Sequence, residues 1–159
     1  MDNISVGANQ MRSQENRAFM RPKVAIGFFS ILALFQIVRV SALTIVQGVI
    51  AGKYSEAWIY PGMVDIAIGV AAPFIAYALW KKTGLGVWTI AIVFFVLSIF
   101  DHMDAITVAA RTMDAIPPGL PSDKIMAVLM LSVSSIIELF AIKLLVSRKL
   151  KSYYLGMGK

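Results

Sequence analysis

The chain has 159 residues, of which 58% are hydrophobic and only 15% are charged. Soluble domains usually carry about 45–50% apolar and about 25% charged residues, so this composition excludes an average soluble domain and a disordered chain. A single domain of this length leaves a large share of its surface exposed, and we expect much of that surface to face a lipid bilayer. Cysteine is absent, which excludes disulfides, thiolate metal sites and cysteine nucleophiles.

Four apolar runs follow one another along the chain, at about residues 24–50, 60–80, 87–110 and 124–146. Each run is near the ~20 residues that a helix needs to cross about 30 Å of hydrocarbon. All four must be helical, because an unpaired backbone group in lipid costs several kcal/mol. Since the connections are short, sequential helices should be antiparallel neighbours. The sequence therefore predicts an all-α integral membrane protein, a four-transmembrane-helix up-down-up-down bundle.

Lysine and arginine are distributed unevenly between the two ends of such a bundle. One end carries ten of them, namely Arg12, Arg17, Arg21, Lys23, Lys81, Lys82, Arg148, Lys149, Lys151 and Lys159. The other end carries three, namely Lys53, Arg111 and Lys124. Cytoplasmic loops carry the excess of Lys and Arg, so both termini are predicted to be cytoplasmic, in a prokaryotic inner membrane.

This charge pattern also divides the chain and limits its partners. Residues 1–23 form a polar basic N-terminal tail, residues 24–146 the transmembrane domain, and residues 147–159 a basic C-terminal tail. The net charge is +6, but the cations act as topological anchors and touch anionic headgroups. We therefore expect lipids as partners and no nucleic acid.

Several polar residues fall inside the apolar runs, where a charge costs at least ~2.5–3.5 kcal/mol on insertion scales. Their depth can be counted from the helix rise of about 1.5 Å per residue. By this count, the polar residues of the first three runs lie at the same depth, in the outer third of the membrane. On a regular helix Gln36, Arg39, Leu43 and Gln47 form one stripe. The sequence predicts an intramembrane polar cluster of Gln36, Arg39, Asp65, Asp101, His102 and Asp104.

The second run carries a stripe of small residues beside its carboxylate, namely Asp65, Gly69, Ala72 and Ala76. Small residues let helices approach closely, and Pro73 is expected to kink this helix. The second run should therefore pack tightly against its neighbours.

Glu138 is expected to stand apart from the cluster. Counted from the outer start of the fourth run, it lies about 21 Å deep, near the inner third of the membrane. The gap to Asp101 and Asp104 would be roughly 10–12 Å along the membrane normal. A proton path through Asp101, Asp104 and Glu138 would need water to bridge that gap.

Three functions remain open at this point. The first is an accessory or structural subunit of a larger membrane complex, or a homo-oligomer, held by an Arg–Asp pair. The second is a proton, cation or small-solute transporter or channel that uses Asp101, Asp104 and Glu138. The third is a copper-like metal or redox cofactor site at His102, Asp101 and Met103, since methionine suits Cu(I).

No catalytic motif is complete in this sequence. There is no nucleophile elbow, P-loop or dinucleotide fingerprint, so no enzyme activity is expected of the isolated chain, and a non-catalytic subunit of a membrane enzyme stays open. The segment Pro61–Pro73, with Trp88 and Asp101, resembles small four-span prokaryotic membrane proteins. That resemblance implies a four-span fold and gives no indication of an activity.

Overall fold

The computed structural model describes residues 22–81, 83–111, 117 and 119–156. Within these ranges the chain is helical and contains no strand. The α-helices are α1 (Pro22–Phe35), α2 (Leu43–Ile50), α3 (Ile59–Lys81), α4 (Leu85–Arg111), α5 (Lys124–Leu145) and α6 (Arg148–Leu155). Two 3-10 segments, Gln36–Ala42 and Glu56–Trp58, join α1 to α2 and lead into α3. The predicted N-terminal tail lies outside the described residues except for residues 22 and 23.

Four helical segments are long and apolar enough to span a membrane: Lys23–Ile50, Glu56–Lys81, Leu85–Arg111 and Lys124–Leu145. They confirm the four predicted spans and the all-helical class. The second span begins earlier than predicted, because the 3-10 turn Glu56–Trp58 runs directly into α3. The fourth begins at a capped end, where Asp123 Oδ1 accepts a hydrogen bond of 2.9 Å from the backbone N–H of Met126.

The first span is interrupted in its middle by the 3-10 segment Gln36–Ala42. A 3-10 helix has three residues per turn, so Gln36 and Arg39 lie directly above one another. The prediction that Leu43 and Gln47 continue the stripe of Gln36 and Arg39 is therefore wrong, because Leu43 and Gln47 are exposed. The change from 3.6 to 3.0 residues per turn shifts the later residues to another face.

The small-residue stripe of α3 packs closely against the interrupted first span. Gly69, Ala72 and Ala76 are all buried, which confirms that part of the prediction. A Cβ atom placed on Gly69 would lie only 2.8 Å from the backbone nitrogen of Val40. Only glycine therefore lets α3 approach the backbone of the 3-10 segment this closely.

Two apolar clusters occupy the two ends of the bundle. The first apolar cluster contains Ala25, Ile26, Phe29, Ala33, Ile68, Ala72, Ala76, Leu79, Ala91, Phe94, Phe95, Ala141, Leu145, Leu150 and Tyr154. The second apolar cluster contains Ala42, Ile45, Val49, Trp58, Ala105, Ala109 and Leu131. In the third and fourth spans, the polar residues of the chain's interior fall between the two clusters, and so do Gln36 and Arg39 of the first span. Ser30, also buried, lies along the chain among the residues of the first apolar cluster.

The predicted C-terminal tail contains a helix that packs on the bundle. In α6, Leu150 is fully buried and Tyr154 is 1% exposed, and both belong to the first apolar cluster. The backbone carbonyl of Tyr154 accepts a hydrogen bond of 2.7 Å from Gly84. Lys151 Nζ lies 5.6 Å from the centre of the Trp88 ring, within the range of a cation–π contact. The end of the bundle near residues 81–85 is therefore covered by α6.

Candidate functional site

The guanidinium of Arg39 is the centre of the buried polar site. Its Nε donates to Gln36 Oε1 at 2.6 Å, and its Nη1 donates to Asp65 Oδ1 at 2.7 Å and to Asp101 Oδ2 at 2.6 Å. Its Nη2 lies 2.5 Å from both Ser98 Oγ and the Nε2 of a histidine. A guanidinium has five N–H donors, and each of these five finds a partner inside the chain.

The histidine is His102, and its contact with Arg39 fixes which of its nitrogens carries the proton. A guanidinium can only donate, so Nε2 must accept with its lone pair. The proton of the neutral ring is then on Nδ1. This Nδ1 lies 3.4 Å from Ser135 Oγ and 3.4 Å from Glu138 Oε2. His102 therefore contributes no positive charge in this arrangement.

Glu138 belongs to the same cluster, and the expectation that it stands apart is wrong. Its Oε1 accepts hydrogen bonds from Gln36 Nε2 at 2.9 Å and from Ser98 Oγ at 2.6 Å. It lies 3.6 Å from Arg39 Nη2. These contacts leave no gap that water would have to bridge between Glu138 and Arg39.

The error in the predicted depth of Glu138 has a geometric cause. A helical side chain leans toward the N-terminus of its own helix. The start of the first span and the end of the fourth meet in the first apolar cluster, where Phe29 and Leu145 lie. Arg39 and Glu138 therefore lean toward each other, and a count of backbone rise alone overstates their separation.

The cluster of Gln36, Arg39, Asp65, Ser98, Asp101, His102 and Glu138, called the Arg39 cluster below, contains five of the six residues predicted for it. The sixth, Asp104, lies on α4 about one turn beyond Asp101 and is only partly buried. Within the part of the chain that the structure describes, no hydrogen bond or ion pair joins Asp104 to Arg39. The structure thus brings Glu138 into the site and leaves Asp104 beside it.

The Arg39 cluster holds more negative than positive charge. Asp101 and Glu138 have side chains only 1% exposed, and Asp65, at 26%, reaches toward the surface. Arg39 is the positive partner of all three. Because His102 is neutral here, two negative charges are in excess when all three carboxylates are ionised. A buried excess of this size is costly unless a proton or a cation neutralises it.

The arrangement does not fit the third open function, a metal site at His102, Asp101 and Met103. Met103 is 53% exposed, on the face of α4 that points away from the cluster. The Nε2 of His102 accepts from Arg39 and is not free to bind a metal. Among the residues that the structure describes, no three histidine or acidic side chains are grouped as a metal ion requires.

A cavity of about 150 Å³ extends from the Arg39 cluster toward the second apolar cluster. Arg39, Asp65, Asp101 and His102 line its polar side. Its other walls come from the ends of the spans and the connections between them, and include Ile45, Trp58, Pro61, Gly119 and Leu120. The first apolar cluster lies on the opposite side of Arg39 and contributes no residue to this lining. The site is therefore reached from one end of the bundle.

Comparison of the chain with protein-family models, curated proteins and solved structures finds no match. The resemblance of the segment Pro61–Pro73 to small four-span prokaryotic proteins therefore gains no support from these comparisons.

Proposed function

We propose that this chain is a polytopic membrane protein that binds a proton or a small cation at the Arg39 cluster and carries it across the membrane. The observation that carries the proposal is the charge of the cluster. Arg39 pairs with Asp65, Asp101 and Glu138 inside one chain, which leaves a negative excess at membrane depth. Intramembrane carboxylates of this kind mark proton relays and ion pathways.

The interrupted first span supports a carrier rather than an open pore. Binding sites of many transporters lie near the membrane midplane, on helices that are broken at the site. Here the 3-10 segment Gln36–Ala42 carries Arg39 and lines the cavity. A stretch of 3-10 helix inside a longer helix often marks a functional hinge. Because the first apolar cluster closes the far side of the site, transport requires that the bundle rearrange around it.

We place the protein in a prokaryotic inner membrane with an up-down-up-down topology and both termini in the cytoplasm. Two observations support this placement. Lys and Arg number ten at one end and three at the other, and the first apolar cluster joins the start of α1 and α4 to the end of α3 and α5. In this orientation the cavity opens on the outer side of the membrane.

Proton flux into proteoliposomes that contain the purified chain and a trapped pH-sensitive dye tests the proposal. We expect Asp101→Asn and Glu138→Gln each to lower the flux at least tenfold, because each removes one carboxylate of the Arg39 cluster. Asp104→Asn is the matched control, since it removes a carboxylate of the same helix that forms no hydrogen bond or ion pair with Arg39 in the described part of the chain. The proposal would be overturned if vesicles with the protein and vesicles without it showed the same flux of protons and also the same flux of Na⁺ and of K⁺.

A second candidate function is an accessory or structural subunit of a larger membrane complex, or a homo-oligomer. It is favoured by the shallow burial of the spans: between 28% and 39% of the residues in the most apolar window of each span are buried in the chain itself. The remaining surface is available to lipid or to another subunit. Native mass spectrometry after gentle extraction tests this candidate. A large assembly with defined partners would support it, and a lone chain of 17.4 kDa would count against it.

A further inference from the structure

Two carboxyl groups of the Arg39 cluster, those of Asp65 and Asp101, lie side by side. Asp65 Oδ1 and Asp101 Oδ2 accept hydrogen bonds of 2.7 and 2.6 Å from the same atom, Arg39 Nη1. The two carboxyl groups also share a side-chain hydrogen bond with each other. An ionised carboxylate can only accept hydrogen bonds, whereas a protonated carboxyl group also donates one. The bond between Asp65 and Asp101 therefore requires that one of the two carries a proton.

The enclosed oxygen of Asp101 supports the same reading. Among the described residues, no N–H or hydroxyl group donates to Asp101 Oδ1, which is buried. A buried acceptor without a donor destabilises a protein. No dissolved molecule fits against an oxygen enclosed in this way, but a proton can pass to Asp101 along a hydrogen bond from a neighbouring carboxyl group. Asp65 is that neighbour.

We propose that the cation of the Arg39 cluster is a proton that Asp65 and Asp101 share, and that Asp65 takes it up from the cavity. The inference rests on the proposed function, because it names the cation and the pair of groups that hold it. The side chain of Asp65 is 26% exposed and lines the cavity, whereas that of Asp101 is 1% exposed. Asp65 is therefore the member of the pair that water can reach.

The cavity is large enough for water to deliver the proton. Its volume is about 150 Å³, and a single water needs only about 10–15 Å³ measured with the same probe. In the uptake step, hydronium gives its proton to the carboxylate of Asp65 and leaves as water. The proton is then held in the hydrogen bond between Asp65 and Asp101.

The charges that face the pair favour one proton. Arg39 of the first span donates to both carboxyl groups, and Glu138 of α5 lies 3.6 Å from Arg39 Nη2. His102 of α4 is neutral, because its Nε2 accepts from Arg39. With all three carboxylates ionised, the Arg39 cluster has two negative charges in excess. One proton on the pair halves this excess, and Arg39 keeps an ionised partner.

The same contacts favour a proton over a metal cation. Arg39 Nη1 already occupies one oxygen of each carboxyl group, so a metal ion between Asp65 and Asp101 would lie beside a guanidinium of like charge. Hard divalent cations take about six or more oxygen ligands. In the described part of the chain, no three histidine or acidic side chains are grouped as a metal ion requires. A proton needs only the two carboxyl groups.

Infrared spectroscopy of the intact chain at pH 7 tests for the shared proton, because a protonated carboxyl group has a C=O band that a carboxylate lacks. Micelles of a maltoside detergent are suitable, since they contain no ester carbonyl. We expect the wild type to show this band, and we expect Asp65→Asn and Asp101→Asn each to lose it, because the new amide supplies the donor in place of the proton. Asp104→Asn is the matched control and should keep the band.

Three results would overturn the shared proton. They are the absence of the band in the folded wild type, a band that survives in either Asp65→Asn or Asp101→Asn, and a band that does not shift when the aspartates are labelled with ¹³C. The last result would place the proton on a glutamate. If Asp101→Asn fails to fold, Asp65→Asn and the labelled wild type still decide.

Uptake through the cavity is tested with a cysteine in the cavity wall. The chain contains no cysteine, so Leu120→Cys provides a single position for a bulky, thiol-specific reagent in the cavity lining. In D₂O the C=O band shifts as deuterium replaces the proton, and the rate of this shift measures access to the pair. We expect the label to slow the shift at least tenfold, and we expect a reducing agent that removes the label to restore the rate.

Lys53→Cys is the matched control for labelling, because Lys53 is exposed and does not line this cavity. Its label should leave the rate of deuterium exchange within about twofold. An unchanged rate after complete labelling of Leu120→Cys would contradict uptake through the cavity.

Failure of the inference and failure of the proposed function are distinguishable, because the infrared band does not depend on flux. A shared proton without flux of any cation overturns only transport. Cation flux without a band from Asp65 and Asp101 overturns only the assignment of the proton to this pair.

Discussion

Replacement of Arg39 by methionine is expected to destabilise the bundle by about 3–5 kcal/mol, the range measured when one partner of a buried ion pair is removed. The hydrogen bonds that are lost account for much of this destabilisation. Arg39 donates five hydrogen bonds, and four of them reach other spans. Hydrogen bonds between membrane helices contribute about 0.6 kcal/mol each on average, so the loss of these four alone costs about 2.4 kcal/mol. The unbalanced charge of the carboxylates adds to that loss.

Reversible unfolding in mixed detergent micelles, followed by tryptophan fluorescence, measures this effect. The triple variant Arg39→Met, Asp101→Asn, Glu138→Gln removes both fully buried carboxylates together with the cation. We expect it to regain much of the lost stability, because the main penalty is uncompensated charge. Lys53→Met is the control for loss of an exposed cation and should stay within about 0.5 kcal/mol of the wild type. Wild-type stability of Arg39→Met, or a triple variant weaker than the single one, would refute the electrostatic reasoning.

Two further predictions concern packing and titration. Gly69→Ala should lower the free energy of unfolding by about 1–3 kcal/mol through overpacking, because the new Cβ would lie 2.8 Å from the backbone nitrogen of Val40. Gly27→Ala is the control and should unfold like the wild type, because its Cβ would lie 3.8 Å from the Trp80 ring. Equal stabilities of the two variants would contradict the close approach of α3. Burial is the main reason, and the nearby Tyr153 the second, why the pKa of Tyr154 is raised from 10.0 to about 12. The neutral Tyr154 hydroxyl should therefore contribute to stability below pH 10, and this contribution should be lost as the pH rises through about 12. In a pH titration, tyrosinate absorbance should show a transition near pH 12 that the Tyr154→Phe variant lacks. If Tyr154→Phe instead removes a transition near pH 10, Tyr154 is not buried.

The four spans and most of the Arg39 cluster follow from the sequence because they depend on local quantities. Mean hydropathy and the length needed to cross a bilayer locate the helices. Helix rise then brings Gln36, Arg39, Asp65, Asp101 and His102 to one level of the membrane. Both inferences need only the position of a residue along a nearly regular helix, and the structure keeps that regularity in α3 and α4.

The parts that sequence reasoning missed depend on tertiary contacts or on departures from a regular helix. The 3-10 segment in the first span removes Leu43 and Gln47 from the stripe that a regular helix predicts. Glu138 joins the cluster because side chains lean along their helices, which a count of backbone rise ignores. Trp58 and Leu120 lie close to the ends of spans, where hydropathy says nothing about which side chains fold inward to wall a cavity.

The composition of the Arg39 cluster argues against a purely structural role. A buried ion pair adds little net stability compared with apolar residues of the same volume, so a bundle that needed only a fixed register would be served by one arginine and one carboxylate. This chain instead places three carboxylates around Arg39, and the side chains of Asp101 and Glu138 are only 1% exposed. A bound proton or cation reduces the negative excess that these carboxylates create around Arg39, and a fixed register alone gives no reason for that excess.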